Sequence, residues 1–189
     1  MNIIKIIVFG ISGLIIGYKI IDTSNKIIKY KRPETDINEN NFLDSNIMRV
    51  MIVAVTAVLW VLSGSINNTI IGLLISAQIT IGIIIAYIDV KIRIIPNELV
   101  LAMVVLGIIF QILNYGFKAL IGAAITMVVM MAVFTAVAGF VGFGKVGAGD
   151  VKLAGAMGIA LGYPLIVTAI GVMAVSLLVF ILTGMALKK

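Results

Sequence analysis

Long apolar segments separated by short polar ones run along the whole chain. A membrane-spanning helix needs about 20 residues. The pattern predicts six long spans, at 3–21, 50–62, 69–88, 99–113, 119–140 and 164–187, and one short helix at 151–162. The sequence therefore predicts an all-α fold, a polytopic membrane helix bundle that forms a single domain.

The first apolar segment is predicted to be a retained helix. It carries Lys5 and Lys19 near its ends and runs into Asp22 without an Ala-x-Ala pattern, whereas a signal peptide joins a short apolar stretch to such a cleavage site. Residues 22–49 form the longest polar stretch. We expect this stretch to be a cytoplasmic loop that precedes a core at 50–189.

Composition limits the chemistry that the bundle can perform. Of the 189 residues, 62% are hydrophobic and 12% are charged, with a mean hydropathy of +1.24, which excludes a water-soluble globular domain. The sequence has no cysteine and no histidine. Thiolate nucleophiles, cysteine zinc sites and histidine-based mechanisms are therefore excluded, and carboxylates, lysine, tyrosine and water remain for acid–base work.

The basic residues predict the orientation of the bundle. A net charge of +6 could indicate a nucleic-acid partner, but in a polytopic chain basic residues concentrate in cytoplasmic loops. With the amino terminus outside, ten of the fourteen Lys and Arg residues fall in the cytoplasm. We expect a multi-pass protein of the inner (plasma) membrane that binds no nucleic acid. The side of the carboxy terminus depends on whether the short segment at 151–162 crosses the bilayer or is a half-entrant helix.

Three carboxylates lie next to apolar segments and outside the long polar stretch: Asp89, Glu98 and Asp150. Glu98 sits where a helix is predicted to begin, which favours an interaction with the helix dipole. Asp89 and Asp150 are separated by two spans, so we expect both at the cytoplasmic face and at the same depth. Two readings stay open: Asp89 pairs with Lys91 or Arg93, and Asp150 caps the helix that follows it.

The alternative is that the two aspartates form one site. Ionisable groups in a membrane protein are functional candidates by default. Two carboxylates brought close together share a proton, which is the chemistry of an aspartic protease. Gly147 and Gly149 would let the backbone approach a substrate closely, although small residues also serve helix packing in membranes.

Two sequence motifs carry a resemblance to a known family. Residues 86–97, AYIDVKIRIIPN, resemble the first signature of type IV prepilin peptidases, and residues 147–153, GAGDVKL, are similar to the second. The resemblance covers about residues 70–187. It implies an intramembrane aspartic endopeptidase whose catalytic pair is Asp89 and Asp150 and which needs no metal or other cofactor. The motif positions expected to bind substrate or support the pair are Gly147, Gly149, Lys152, Pro96 and Asn97.

The resemblance implies cleavage of prepilins or pseudopilins in the lipid bilayer. The basic leader would be removed at the cytoplasmic face, after a glycine and ahead of the hydrophobic stem. The common bacterial form also carries paired Cys-x-x-Cys motifs and methylates the new amino terminus. This sequence has no cysteine, so we expect cleavage without methylation. Acidic residues of the polar stretch could recognise the leader, although a solvated connector is the favoured role; they are Glu34, Asp36, Glu39 and Asp44.

Two other functions remain open. The first is another protease with the same Gly-x-Gly-Asp arrangement, of the presenilin-like or preflagellin type. Ile95-Pro96-Asn97 after Asp89 favours the prepilin type over the presenilin type. The second is a small transporter or channel subunit in which the aspartates bind protons or cations.

Overall fold

A computed structural model describes residues 3–34, 45–141 and 147–187. In these ranges the chain forms helices and no strand. The helices are α1 (Ile3–Lys31), α2 (Asn46–Gly64), α3 (Thr69–Ile92), α4 (Asn97–Tyr115), α5 (Ala119–Val141), α6 (Ala148–Leu161) and α7 (Leu165–Leu187). Helices α1 to α5 are long and apolar enough to cross a membrane. The predicted class, an all-α polytopic membrane bundle, is confirmed.

Helix α1 is longer than predicted. It continues to Lys31 instead of ending at residue 21, because Ile21 and Ile28 keep one face buried against Ile88 of α3. Helix α2 begins at Asn46, four residues before the predicted start. The predicted polar loop at 22–49 is therefore helical at both of its ends. Of its four candidate leader-binding acids, Glu34 is described and exposed, and Asp36, Glu39 and Asp44 lie outside the described residues.

Helices α1 and α2 pack through glycines. A methyl group at Gly13 would lie 2.9 Å from the Cα of Ala57, and one at Gly17 would lie 2.9 Å from the Cα of Val53. Since apolar side chains gain little by leaving lipid for protein, such close backbone approach is what holds membrane helices together. The ion pair between Asp22 and Arg49, 2.9 Å long, joins the same two helices.

Helix α6 is a short helix clamped between α4 and α5. A methyl group at Gly107 of α4 would lie 2.8 Å from the Cα of Ala160, and one at Gly158 would lie 2.8 Å from the Cα of Met127 of α5. With 14 residues, α6 is about 21 Å long, so it does not cover a bilayer core of about 30 Å. It begins at Ala148, three residues before the predicted start.

The carboxy-terminal end of α6 lies inside the bundle. The last carbonyls of a helix have no partner within the helix, and in hydrocarbon each must be satisfied by another group. The buried side chain of Gln111 is the partner of these carbonyls, because its Nε2 donates to the carbonyls of Ile159 and Ala160 at 3.2 and 3.3 Å. Gly162, with φ of 64°, then turns the chain towards α7.

The clamp around α6 makes a testable prediction. Replacing Gly158 with Val should lower the thermal stability of the purified protein, because the new side chain would meet the backbone of α5, and overpacking of this kind costs about 1–3 kcal/mol. Gly122→Val is the matched control, since a Cβ at Gly122 meets nothing within 4 Å. The measurement is thermal unfolding in detergent, and equal melting temperatures for the two variants would contradict the clamp.

Candidate active site

The first motif spans the end of α3 and the start of α4. Asp89 lies in the last turn of α3, where its carbonyl accepts the N–H of Arg93 at 2.7 Å. Arg93 ends the helix in the left-handed region, with φ of 54°. Asp89 is therefore helical, whereas the predicted span ends at residue 88. Pro96 is buried and directly precedes Asn97, the first residue of α4, as expected of proline at a helix start.

Helix periodicity fixes which way Asp89 faces. Ile81, Ile85 and Asp89 follow each other at intervals of four residues and so share one face of α3. Ile85 is 2% exposed and belongs to a buried cluster with residues of α4 and α6; Ile81 packs against the same cluster. Asp89 continues this face to the end of α3, where it is partly exposed.

Lys91 and Tyr87 lie on the opposite side of α3. Each is two residues from Asp89, which in a helix is about half a turn away. Both side chains donate to Oδ1 of Asn25 in α1, at 3.3 Å from Lys91 and 3.5 Å from Tyr87. Among the described ranges, Asp89 has no ion pair, so the proposed pairing of Asp89 with Lys91 or Arg93 does not form there.

The second motif forms the start of α6. Gly147 is the exposed residue before the helix, and Asp150 is the third residue within it. Oδ2 of Asp150 accepts the N–H of Gly147 at 2.9 Å, and the N–H of Asp150 donates to the carbonyl of Gly147 at 3.0 Å. Asp150 therefore caps its helix through one oxygen. The other carboxylate oxygen remains for a second partner.

Periodicity also fixes the face of α6 that carries Asp150. Leu153 and Met157 follow Asp150 by three and seven residues, which keeps all three on one side of the helix. Both Leu153 and Met157 pack against the buried cluster that contains Ile85 of α3. The face of α6 that begins at Asp150 and the face of α3 that ends at Asp89 thus border the same buried cluster.

Two contacts join the motifs directly. A methyl group at Gly149 would lie 3.1 Å from the Cβ of Ile95, so the start of α6 lies against the loop between α3 and α4. Nζ of Lys152 donates to Oδ1 of Asn97 at 3.2 Å. The two motifs therefore lie at the same end of the bundle. Gly149, Lys152, Asn97 and Pro96 all belong to this junction, and Gly147 contributes its N–H to Asp150.

One contact at this end was missed by the sequence interpretation. Glu98 pairs with Lys31 of α1 at 2.6 Å, and this exposed ion pair ties the end of α1 to the first turn of α4. Glu98 was predicted to act only on the helix dipole, and the first turn of α4 does satisfy that prediction. The pairing joins residues far apart in sequence, and no local pattern signals it.

The junction holds no arrangement suited to a metal ion. In the described ranges, no group of three or more carboxylates lies together. The chemical resources of this end are two carboxylates, a lysine, an amide and backbone groups freed at two helix ends. These are the components of acid–base chemistry on a peptide bond.

One of three comparisons with known proteins found a match. The chain matches no curated protein and no solved structure at a significant level. Residues 76–187 match the model of the type IV leader peptidase family, a stretch that runs from α3 to α7 and includes both motifs. This confirms the resemblance seen in the sequence and implies a membrane-embedded protease with a protein substrate. Because the match covers more than half of the chain, the protein belongs to the type IV leader peptidase family.

Proposed function

We propose that this protein is an aspartic endopeptidase in which Asp89 and Asp150 form the catalytic pair. Family membership supports proteolysis in general. The observation that carries the aspartic mechanism is the register of α3 and α6. Asp89 ends the face of α3 that borders the buried cluster around Ile85, and Asp150 begins the face of α6 that borders the same cluster.

The junction supports convergence of the two carboxylates. The contact of Gly149 with Ile95 and the hydrogen bond from Lys152 to Asn97 hold the start of α6 against the α3–α4 loop and the start of α4. Both aspartates are partly exposed. Water and a substrate strand can therefore reach them from the end of the bundle, and the buried cluster around Ile85 lies beneath them.

The reaction follows from one proton shared by two carboxylates. The ionised aspartate removes a proton from water, and the water oxygen attacks the carbonyl carbon of the scissile bond. The protonated aspartate donates its proton to the carbonyl oxygen. Collapse of the tetrahedral intermediate breaks the C–N bond, and the amine leaves with the proton taken from water. The hydroxyl group formed on the carbonyl returns its proton to the aspartate that donated it, as the carbonyl is formed again. The shared proton belongs to the pair and to neither residue alone.

The motif residues act by positioning. The N–H of Gly147 fixes one oxygen of Asp150, which leaves the other free for water or substrate. Gly149 allows the backbone at the start of α6 to approach the α3–α4 loop, since a Cβ there would crowd Ile95. The hydrogen bond between Lys152 and Asn97 holds the start of α6 against the start of α4, and Pro96 fixes the start of α4.

The proposed substrates are prepilins or pseudopilins. Their basic leader stays in the cytoplasm by the rule that orients this bundle, and their apolar stem lies in the bilayer, so the bond between them lies at the depth of the two aspartates. We therefore propose that the active site lies at the cytoplasmic face of the plasma membrane. The chain has no cysteine to hold the zinc of the longer bacterial enzymes, and we propose that it cleaves without methylating.

Substitution of each aspartate tests the mechanism. Asp89→Asn and Asp150→Asn should each reduce leader removal at least about 100-fold, because an amide can neither accept the proton from water nor share one with its partner. Asp22→Asn is the matched control, since Asp22 is an exposed carboxylate paired with Arg49 on α1 and α2. Cleavage is followed by the mobility shift of a prepilin, after size-exclusion chromatography shows that each variant is folded. Full activity of either catalytic variant would contradict the aspartic mechanism.

The absence of methyl transfer is tested separately. Purified protein, prepilin and labelled S-adenosylmethionine should yield mature pilin that carries no label. A cysteine-containing enzyme of the longer form, assayed on the same substrate, shows that the conditions permit methylation. Label in pilin matured by this protein would overturn the proposal that the protein does not methylate. The proposal that it cleaves would still stand.

A further inference from the structure

A partly open cavity of about 300 Å³ lies between α3, α4, α6 and the start of α7. Its walls are apolar apart from one amide. The lining residues that matter are Gln78 and Ile79 of α3, Met103 and Phe110 of α4, and Met157 and Leu161 of α6. The cavity is separate from the junction that holds the two motifs, because none of the motif residues lines it.

The α3 wall of the cavity is on the same side of the helix as Asp89. Gln78, Gly82 and Asp89 form a stripe along this side. Gln78 and Asp89 are eleven residues apart, which is about three helical turns, so both side chains leave α3 in nearly the same direction. The distance along the axis is about 16 Å. Gly82 lies between them on this stripe, and a Cβ there would meet only Met103 Cε at 3.9 Å. The stripe therefore leaves room between the amide and the carboxylate.

The α6 wall of the cavity is likewise on the same side of its helix as the aspartate of that helix, but in α6 the aspartate comes first along the chain. Asp150 and Leu161 are also eleven residues apart and share one side of α6, with Met157 between them. Since α3 ends and α6 begins at the same end of the bundle, the cavity lies about 16 Å below both aspartates. The same two helix faces thus carry the proposed catalytic pair at one end and the cavity walls at the other.

The amide of Gln78 indicates what kind of molecule occupies the cavity. Its Nε2 is buried and has no hydrogen-bond partner among the residues that the structure describes. A buried donor without a partner destabilises a folded protein, and the penalty is largest in hydrocarbon. A lipid acyl chain has no hydrogen-bond acceptor and therefore cannot remove this penalty. A polypeptide offers carbonyl and side-chain oxygens.

We propose that this cavity holds the apolar segment that follows the scissile bond of the substrate, with Nε2 of Gln78 donating to an oxygen of that segment. The proposal rests on the proposed function, because it requires the scissile bond to lie at Asp89 and Asp150. The basic leader is excluded from the apolar cavity by its charge. The segment spans about 16 Å, which corresponds to about eleven residues in a helix or about five in an extended strand.

The cavity makes Gln78 a specificity residue whose effect depends on substrate length. Two synthetic peptides serve as probes. Both carry a basic leader and a glycine; the long one continues with twenty apolar residues, and the short one has three apolar residues and a polar tail. The short peptide can reach the aspartates and not the cavity. In nanodiscs, Gln78→Leu should raise KM for the long peptide about five- to tenfold, with kcat retained and cleavage of the short peptide unchanged.

A cavity-filling variant gives an independent measurement. Ile79→Trp places a larger side chain in the cavity and should raise KM for the long peptide at least about tenfold, again with no effect on the short one. Leu73→Trp is the matched control, because Leu73 is on the same helix, is 48% exposed and does not line the cavity. This control should cleave both peptides like the wild type. If Ile79→Trp does not fold, Gln78→Leu decides the question, because it adds no bulk.

The outcomes separate this proposal from the one it rests on. Unchanged KM for the long peptide in Gln78→Leu would overturn the docking site. An equal loss on both peptides would also overturn it, because it would indicate a purely structural role. If either result accompanies an inactive Asp89→Asn, the catalytic proposal survives alone. If Asp89→Asn cleaves both peptides normally, the catalytic proposal fails, and the docking proposal fails with it.

Discussion

The close packing of α6 against α4 and α5 is the constraint on which the rest of this structure depends. Gly107 against Ala160 and Gly158 against Met127 bring backbones together without intervening side chains. This contact sets both the depth and the rotation of α6. Rotation matters most, because a helix turned by one residue would take Asp150 and Met157 off the face that borders the buried cluster around Ile85.

A short helix inside a membrane bundle creates a problem of unpaired carbonyls, and the chain resolves it with Gln111. Its amide binds the last carbonyls of α6, so the helix can end at depth while its start stays at the interface. The catalytic proposal uses the start of α6, where Asp150 is partly exposed to solvent. The docking proposal uses its end, where Leu161 lines the cavity. Helix α6, which is clamped between α4 and α5, thereby links the catalytic proposal to the docking proposal.

Much of the fold and the two motifs were predictable from sequence, because long apolar runs, Asp89 followed by Ile95-Pro96-Asn97, and the Gly-x-Gly-Asp pattern are local signals. The residues at which the helices begin and end were not predictable from sequence. Helix α1 extends to Lys31 because Ile28 is buried against α3, and that packing partner lies about sixty residues away along the chain. The bond between Lys152 and Asn97 depends in the same way on the fold as a whole. The roles of Asp89 and Asp150 remain predictions that rest on motif and register.

The most direct test of the account is the proximity of positions 89 and 150 in the membrane. The chain has no native cysteine, so the double variant Asp89→Cys/Asp150→Cys can be treated with a short bifunctional thiol cross-linker without background. Lys91→Cys/Asp150→Cys is the control, because Lys91 faces α1 from the opposite side of α3. The account predicts rapid intramolecular cross-linking of the first pair and little of the second. Equal cross-linking of the two pairs, or none for the first, would contradict it.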